Sequence, residues 1–352
     1  MSVNKQAVTE PQKPYIGGQA VIEGVMMRAP SCVTVAVRRP DGAIVVSEEP
    51  VTSKVARSPL LKLPLVRGVA TLVESMSIGY RALRFSAEQQ EVSVATLMLA
   101  LVLGAEGSGS GRSDPGKSDS KGRGAFALSL LIAVGLFVVL PQGATAAVNH
   151  WLGLGLTPQH WHFHAMTGGF KLLILSGYLA FLSSMPDVRR VFQYHGAEHK
   201  TIYAYEKGLP LTVANVQAQS TLHPRCGTTF LILVVFVSVV LGAVVTPLLV
   251  PTAQGLEGNL LTLLVRIALL IPIAAVSYEL QRISARFFTK GPLRVFLWPG
   301  FLFQKITTRA PDDAQVEIAI AAMESAIGYE DDPVEGGVET FDSFDDFRRA
   351  YG

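Results

Sequence analysis

The rhythm of apolar and polar positions changes several times along the chain, and each rhythm predicts a different element. VTVAVR (33–38) and AIVVSEE (43–49) are short β-prone runs joined by RPDG, whose Pro-Asp-Gly suits a tight turn, so a hairpin is expected near the N-terminus. Over residues 60–90, Val66, Val69, Val73, Met76 and Leu83 recur at roughly helical spacing while Arg67, Arg81 and Arg84 supply positive charge. That pattern predicts an amphipathic helix, either interfacial or packed on a core. The apolar run at 92–104 is too short to cross about 30 Å of hydrocarbon, which takes about 20 residues, and reads as a re-entrant or surface-lying helix. Residues 104–124 are Gly/Ser-rich and charged, the composition of a flexible linker.

Four longer apolar runs, roughly 125–148, 168–186, 229–250 and 260–281, are the expected transmembrane helices. After them, residues 293–309 mix Phe296, Trp298, Phe301 and Phe303 with basic residues, as at a headgroup boundary. DDAQVEIAIAAMESAI (312–327) then reads as an amphipathic helix with Asp312 and Asp313 at its dipole-favoured start. The acidic tail is expected to be disordered. The predicted organisation is a cytoplasmic N-terminal module (1–92, hairpin plus amphipathic helix), a short apolar segment with its linker (93–124), and a transmembrane bundle (125–292) with a loop at 187–228. Interfacial and amphipathic helices (293–329) and the tail (330–352) follow. The fold class is thus mainly α, a polytopic membrane protein of about four spans with a small α+β module and amphipathic surface helices.

Composition supports this class: of 352 residues, 49% are hydrophobic and 16% charged. A net charge of +2 and the lack of a dense Lys/Arg tract give no reason to expect nucleic-acid binding. The lipid bilayer is the expected partner, a homo-oligomer is allowed, and protein partners are not specified. Cys32 and Cys226 make no disulfide framework. The N-terminal residues lack an apolar core, so no cleavable signal peptide is expected. Charge placement matters more than net charge: segments 149–167 and 251–259 contain no Lys or Arg, whereas 187–228 carries Arg189, Arg190, Lys200, Lys207 and Arg225. By the positive-inside rule, both termini and the 187–228 loop face the cytoplasm of a bacterial inner membrane. Arg266, inside the fourth run, either snorkels or finds an internal polar partner.

That loop holds the candidate chemistry. In YHGAEHK (194–200), His195 and His199 lie one helical turn apart with Glu198 beside them, so two imidazoles can bind one metal while a carboxylate reaches nearby water. His-x-x-Glu-His is the inverzincin order, but a cluster of this kind also serves solvation on a juxtamembrane face. LHPRC (222–226) adds His223 and Cys226, ligand types suited to Zn²⁺. Glu198 is the candidate catalytic base, and Glu206 and Glu279 are candidate further ligands or supporting groups. Four protein ligands would make the site structural, three would leave a position for water, and both arrangements stay open. HWHFH (160–164) falls on the opposite side beside Trp151 and Trp161, where an aromatic belt is expected. In YIGGQAVIEGVMMRAP (15–30), Gly17-Gly18 is no phosphate cradle, and Glu23 and Arg28 have no sequence-level explanation.

GGQAVIEGVMMR (17–28), PDVRRVFQYHGAEHKTIYAYE (186–206), LHPRCGTTF (222–230), SYELQR (277–282) and ITTRAPDDAQVEIAI (306–320) together resemble the bacterial domain of unknown function 1385 family, YqhQ-like. The resemblance implies a multi-pass inner-membrane protein described as metal-dependent, and supplies no substrate. The expected function is a membrane-embedded, Zn²⁺-dependent hydrolase with a cytoplasm-facing site. The alternatives are a scaffold or regulatory protein with a structural metal clip and, last, a transporter.

Overall fold

The RPDG turn closes an antiparallel pair, and a second hairpin before it begins a meander. The computed structural model describes residues 13–53, 58–92, 128–251, 255–287, 295, 297–333 and 335–351. The expected apolar segment and linker at 93–124 lie outside these residues. Strands β1 (Gly17–Val21), β2 (Gly24–Arg28), β3 (Cys32–Arg38) and β4 (Ile44–Pro50) pair in sequence order, all antiparallel, with Val35 opposite Ser47 and Met26 opposite Val35. The turn between β1 and β2 puts Glu23 at φ 48°, a left-handed conformation uncommon outside glycine.

Alternation along the strands gives the sheet two buried faces. Val21, Met26, Val33, Val35 and Val37 meet Ile78 and Ala82 of α1 (Val66–Gln89). On the other face Val25, Met27, Cys32, Ala36, Ile44 and Val46 meet later helices, chiefly Pro186–Glu206 and Asp313–Asp331. The stripe that predicted α1 is not the face it buries. Val66, Val73 and Met76 remain 45%, 61% and 68% exposed, while Gly68, Ile78, Gly79 and Ala82 are buried. Glycines explain the inversion: a Cβ at Gly68 would press on Tyr278 and the Ala275 carbonyl, so α1 packs through its small residues.

Among the described residues, three helices are long and apolar enough to cross a membrane: α2 (Leu128–Trp151), α3 (Trp161–Leu182) and, after two helices described below, Gly227–Leu249. α2 includes a π-helical stretch at Gly135–Val139. α4 (Pro186–Glu206) and the short α5 (Val213–Gln217) come between α3 and α6 (Gly227–Leu249). The fourth expected span is a pair, α7 (Gly255–Ala268) and α8 (Leu270–Phe287), bent by 51°. Pro272 accounts for the bend, since it removes the N–H that the Ala268 carbonyl would accept. α3 and α6 approach closely where glycines face side chains, Gly168 against Val239 and Gly242 against His164.

Past α9 (Trp298–Thr307), two expectations are corrected. The helix expected to be amphipathic, α10 (Asp313–Asp331), is buried nearly all round, with Val316, Ile318–Met323, Ala326 and Tyr329 in the main core. Its run of alanines lets it lie close to β2, β3 and α4 at once. It starts with a capping box in which Asp312 and Gln315 satisfy each other's backbone N–H.

The acidic tail, expected to be disordered, folds as β5 (Val338–Phe341), which pairs with β4, and α11 (Phe344–Tyr351). Phe341, Phe344, Phe347 and Tyr351 recur at intervals of three and four, and Phe347 is fully buried against Phe341 and Tyr351. Acidic composition masked that apolar stripe. The sheet therefore draws its fifth strand and one whole cover from the second half of the chain, so residues 1–92 do not form a module by themselves.

Candidate metal centre

α4 stands between the sheet and the start of α6, and its YHGAEHK turn is held from several sides. Glu23, unexplained in the sequence, receives Arg190 at 2.5 Å and the Tyr194 hydroxyl at 3.2 Å, which pins the β1–β2 turn to α4. Arg28 similarly binds Glu74 of α1 at 2.5 Å. Gly196 has no side chain because the Arg309 carbonyl occupies that space.

His195 and His199 follow one turn apart, with ring centroids 4.4 Å apart. His195 Nδ1 lies 2.8 Å from the Thr307 carbonyl, and His199 Nδ1 lies 2.5 Å from the Thr221 carbonyl. A carbonyl only accepts, so each Nδ1–H donates and each Nε2 keeps its lone pair for a ligand. His195 Nε2 is 3.3 Å from Cys226 Sγ, and the ligand atoms of His195, His199 and Cys226 all lie within 4.8 Å of one another. Cys226 caps α6, where its sulfur faces the Thr228 N–H at 3.5 Å. The donor set fits Zn²⁺: bonds of about 2.0–2.3 Å in a tetrahedron separate ligand atoms by roughly 3.3–3.8 Å.

Glu198 is 4% exposed, and its Oε2 stands 3.8 Å from His195 Nε2 and 3.9 Å from His199 Nε2, outside that three-ligand group. Burial pushes its carboxyl above the ordinary range, opposed by the His195 and His223 imidazoles and by the Gly18 N–H that it accepts. Gly18 has to be glycine here, since a Cβ would meet Glu198 Cγ at 2.7 Å and Oε1 at 2.8 Å. Burial also pushes His199 below its ordinary value.

His223 neighbours the group without joining it. Its backbone N–H and carbonyl are both held at 2.8 Å by the buried Gln304, and its Nε2 faces Glu206 Oε2 at 3.6 Å. Burial takes its imidazole down to about 4. Glu206 is paired with Arg225, and Glu279 with Arg67 of α1 at 2.7 Å, so neither expected accessory carboxylate is directed at His195, His199 and Cys226. Reasoning from sequence missed Gly18, Thr221, Gln304 and Thr307. Only Gln304, a lone amide in the aromatic run FLFQK, carried a signal there. On the far side of the bundle, Trp151 and Trp161 are exposed as expected, whereas His164 turns inward and is buried.

A family model described as "Protein of unknown function (DUF1385)" matches residues 63–329. The chain is 33% identical over 330 residues to the "Uncharacterized protein YqhQ" of Bacillus subtilis (strain 168), covering 90% of this chain and 93% of that protein. No solved structure matches.

Proposed function

The chain belongs to the DUF1385 family of proteins of unknown function, and from there we propose that it is a membrane-embedded, metal-dependent hydrolase whose site faces the cytoplasm. The observation that carries this reading is the pair of Nδ1–H bonds to backbone carbonyls, which leaves two imidazole lone pairs and one sulfur converging beside a buried carboxylate. His195, His199 and Cys226 would hold Zn²⁺. When bound, the ion would supply a Lewis acid and bring the pKa of adjacent water to about 7. Glu198, raised by burial and oriented by the Gly18 N–H, would be the general base of such a site, its carboxylate holding a proton for return to a leaving group. Gln304 holds the backbone of the buried His223 beside the site, and Glu206 is paired with Arg225.

The apolar helices lie in the bilayer, the Lys/Arg-rich loop is cytoplasmic, and exposed Val73 and Met76 of α1 rest against the headgroup boundary. A structural clip is the second reading, favoured by the way the two histidines tie the Thr221 and Thr307 segments to α4. X-ray absorption at the metal edge separates the two. The hydrolase reading expects two nitrogens, one sulfur and one exchangeable light ligand that azide displaces. A fourth protein ligand, indifferent to azide, would leave only the clip.

A further inference from the structure

A second polar cluster lies halfway along the helix bundle, remote from the metal centre. His164, Thr167 and Lys171 occupy positions i, i+3 and i+7 of α3 and so share one face. Arg266 of α7 enters that face and is 6% exposed, its Nη2 reaching His164 Nδ1 at 3.0 Å and Thr167 Oγ1 at 3.3 Å. His164 accepts through Nδ1, so its Nε2–H donates to the Pro158 carbonyl at 2.8 Å and the ring is neutral. Half-buried Lys171 donates to Ser238 of α6 at 2.9 Å.

Among the described residues the cluster thus contains two cations and no carboxylate. No Asp or Glu occurs in 128–151, 161–182 or 227–249. On α7, Glu257 is exposed and nine residues from Arg266, about 14 Å along the helix. On α8, Glu279 is taken by Arg67. Arg266 Nη1 is buried and has no hydrogen-bond partner among the described residues. A buried guanidinium without a counter-charge is costly, and one whose fork still has a free donor is a ready anion ligand.

We propose that Arg266 and Lys171 form a binding site for a small inorganic anion at mid-depth of the bundle; the Thr167 and Ser238 hydroxyls, whose protons go to the Phe163 and Val235 carbonyls, position the two cations as acceptors. The inference takes the bundle as membrane-embedded, as proposed above, and is independent of the metal chemistry. Ser238 is twelve residues into α6 from Cys226, about 18 Å along the helix axis. A cavity of about 290 Å³ at the opposite end of the bundle is lined by Asn149, Thr157, Pro158 and Asn259. Its Pro158 is the residue whose carbonyl accepts from His164, which places the cavity one residue beyond the cluster on the side away from the metal centre. Mid-depth placement favours a free anion over a lipid headgroup, whose phosphate stays at the bilayer surface.

The test is thermal unfolding of the purified full-length protein in a neutral detergent, with chloride replacing gluconate at constant ionic strength and phosphatidylglycerol added in a second arm. Chloride is expected to raise the melting temperature by a few degrees, increasing with the logarithm of its concentration. Lys171→Met, which removes a half-buried cation, and Arg266→Gln are both expected to abolish the rise. If Arg266→Gln does not fold, Lys171→Met decides alone. The proposal is overturned if chloride has no effect, if Lys171→Met keeps the full rise, or if only the anionic lipid stabilises.

Discussion

At the residue scale, the roles of the site's side chains are set by what holds their other ends. His195 and His199 both point Nδ1 at a carbonyl, whereas His223 is held through its backbone by Gln304. The sequence supplies the residue types and the one-turn spacing; it does not supply the Thr221 and Thr307 carbonyls, because any residue can present one. For that reason His223 and Cys226 look equivalent in LHPRC, although only the sulfur converges with the two histidines. Gly18 is as informative as the ligands. Gly18→Ala would push Glu198 aside and is expected to lower stability by about 1–3 kcal/mol, read from chemical denaturation, without loss of bound metal. Wild-type stability in that variant would show that β1 does not press on the carboxylate.

At the element scale, patterning identified most elements and misassigned which faces they bury. The β3–β4 hairpin was legible because β-prone runs flank a turn sequence, and α10 was legible as a helix but not as a core helix, since alanine carries little hydrophobic signal. The tail was misread because its aspartates hid an aromatic stripe. Phe347→Ala is expected to cost about 3–5 kcal/mol, and an unchanged denaturation midpoint would return the tail to a peripheral role.

α10 also carries a pH effect. Burial raises Glu324 from 4.5 to about 7 despite the opposing charge of Arg348 at 3.2 Å. The folded state therefore binds more protons than the unfolded state between pH 4.5 and 7, and stability falls as pH rises through that window, by up to about 1.4 kcal/mol per unit. Glu324→Gln should flatten that fall in melting temperature against pH, and an unaltered profile would assign the slope to other groups.

At the scale of the whole molecule, a five-stranded sheet assembled from both ends of the chain is mounted on an apolar bundle, with the His195, His199 and Cys226 cluster at the junction. Hydropathy revealed the bundle, but the long-range closure by β5 and α11 lies outside any local pattern. Single cysteines test the orientation, because Cys32 and Cys226 are both buried. Lys207→Cys is expected to react with an impermeant maleimide only in inside-out vesicles and Leu154→Cys only in intact cells, and the reverse pattern would invert the topology. The central claim is that His195, His199 and Cys226 hold a metal beside a Glu198 that does not. Metal content per chain of the purified protein, measured by mass spectrometry, tests it most directly. The account predicts one Zn²⁺ in the wild type and in Glu198→Gln, and loss of it in His199→Ala and Cys226→Ser; metal-free wild type, or full occupancy in both ligand variants, would contradict it.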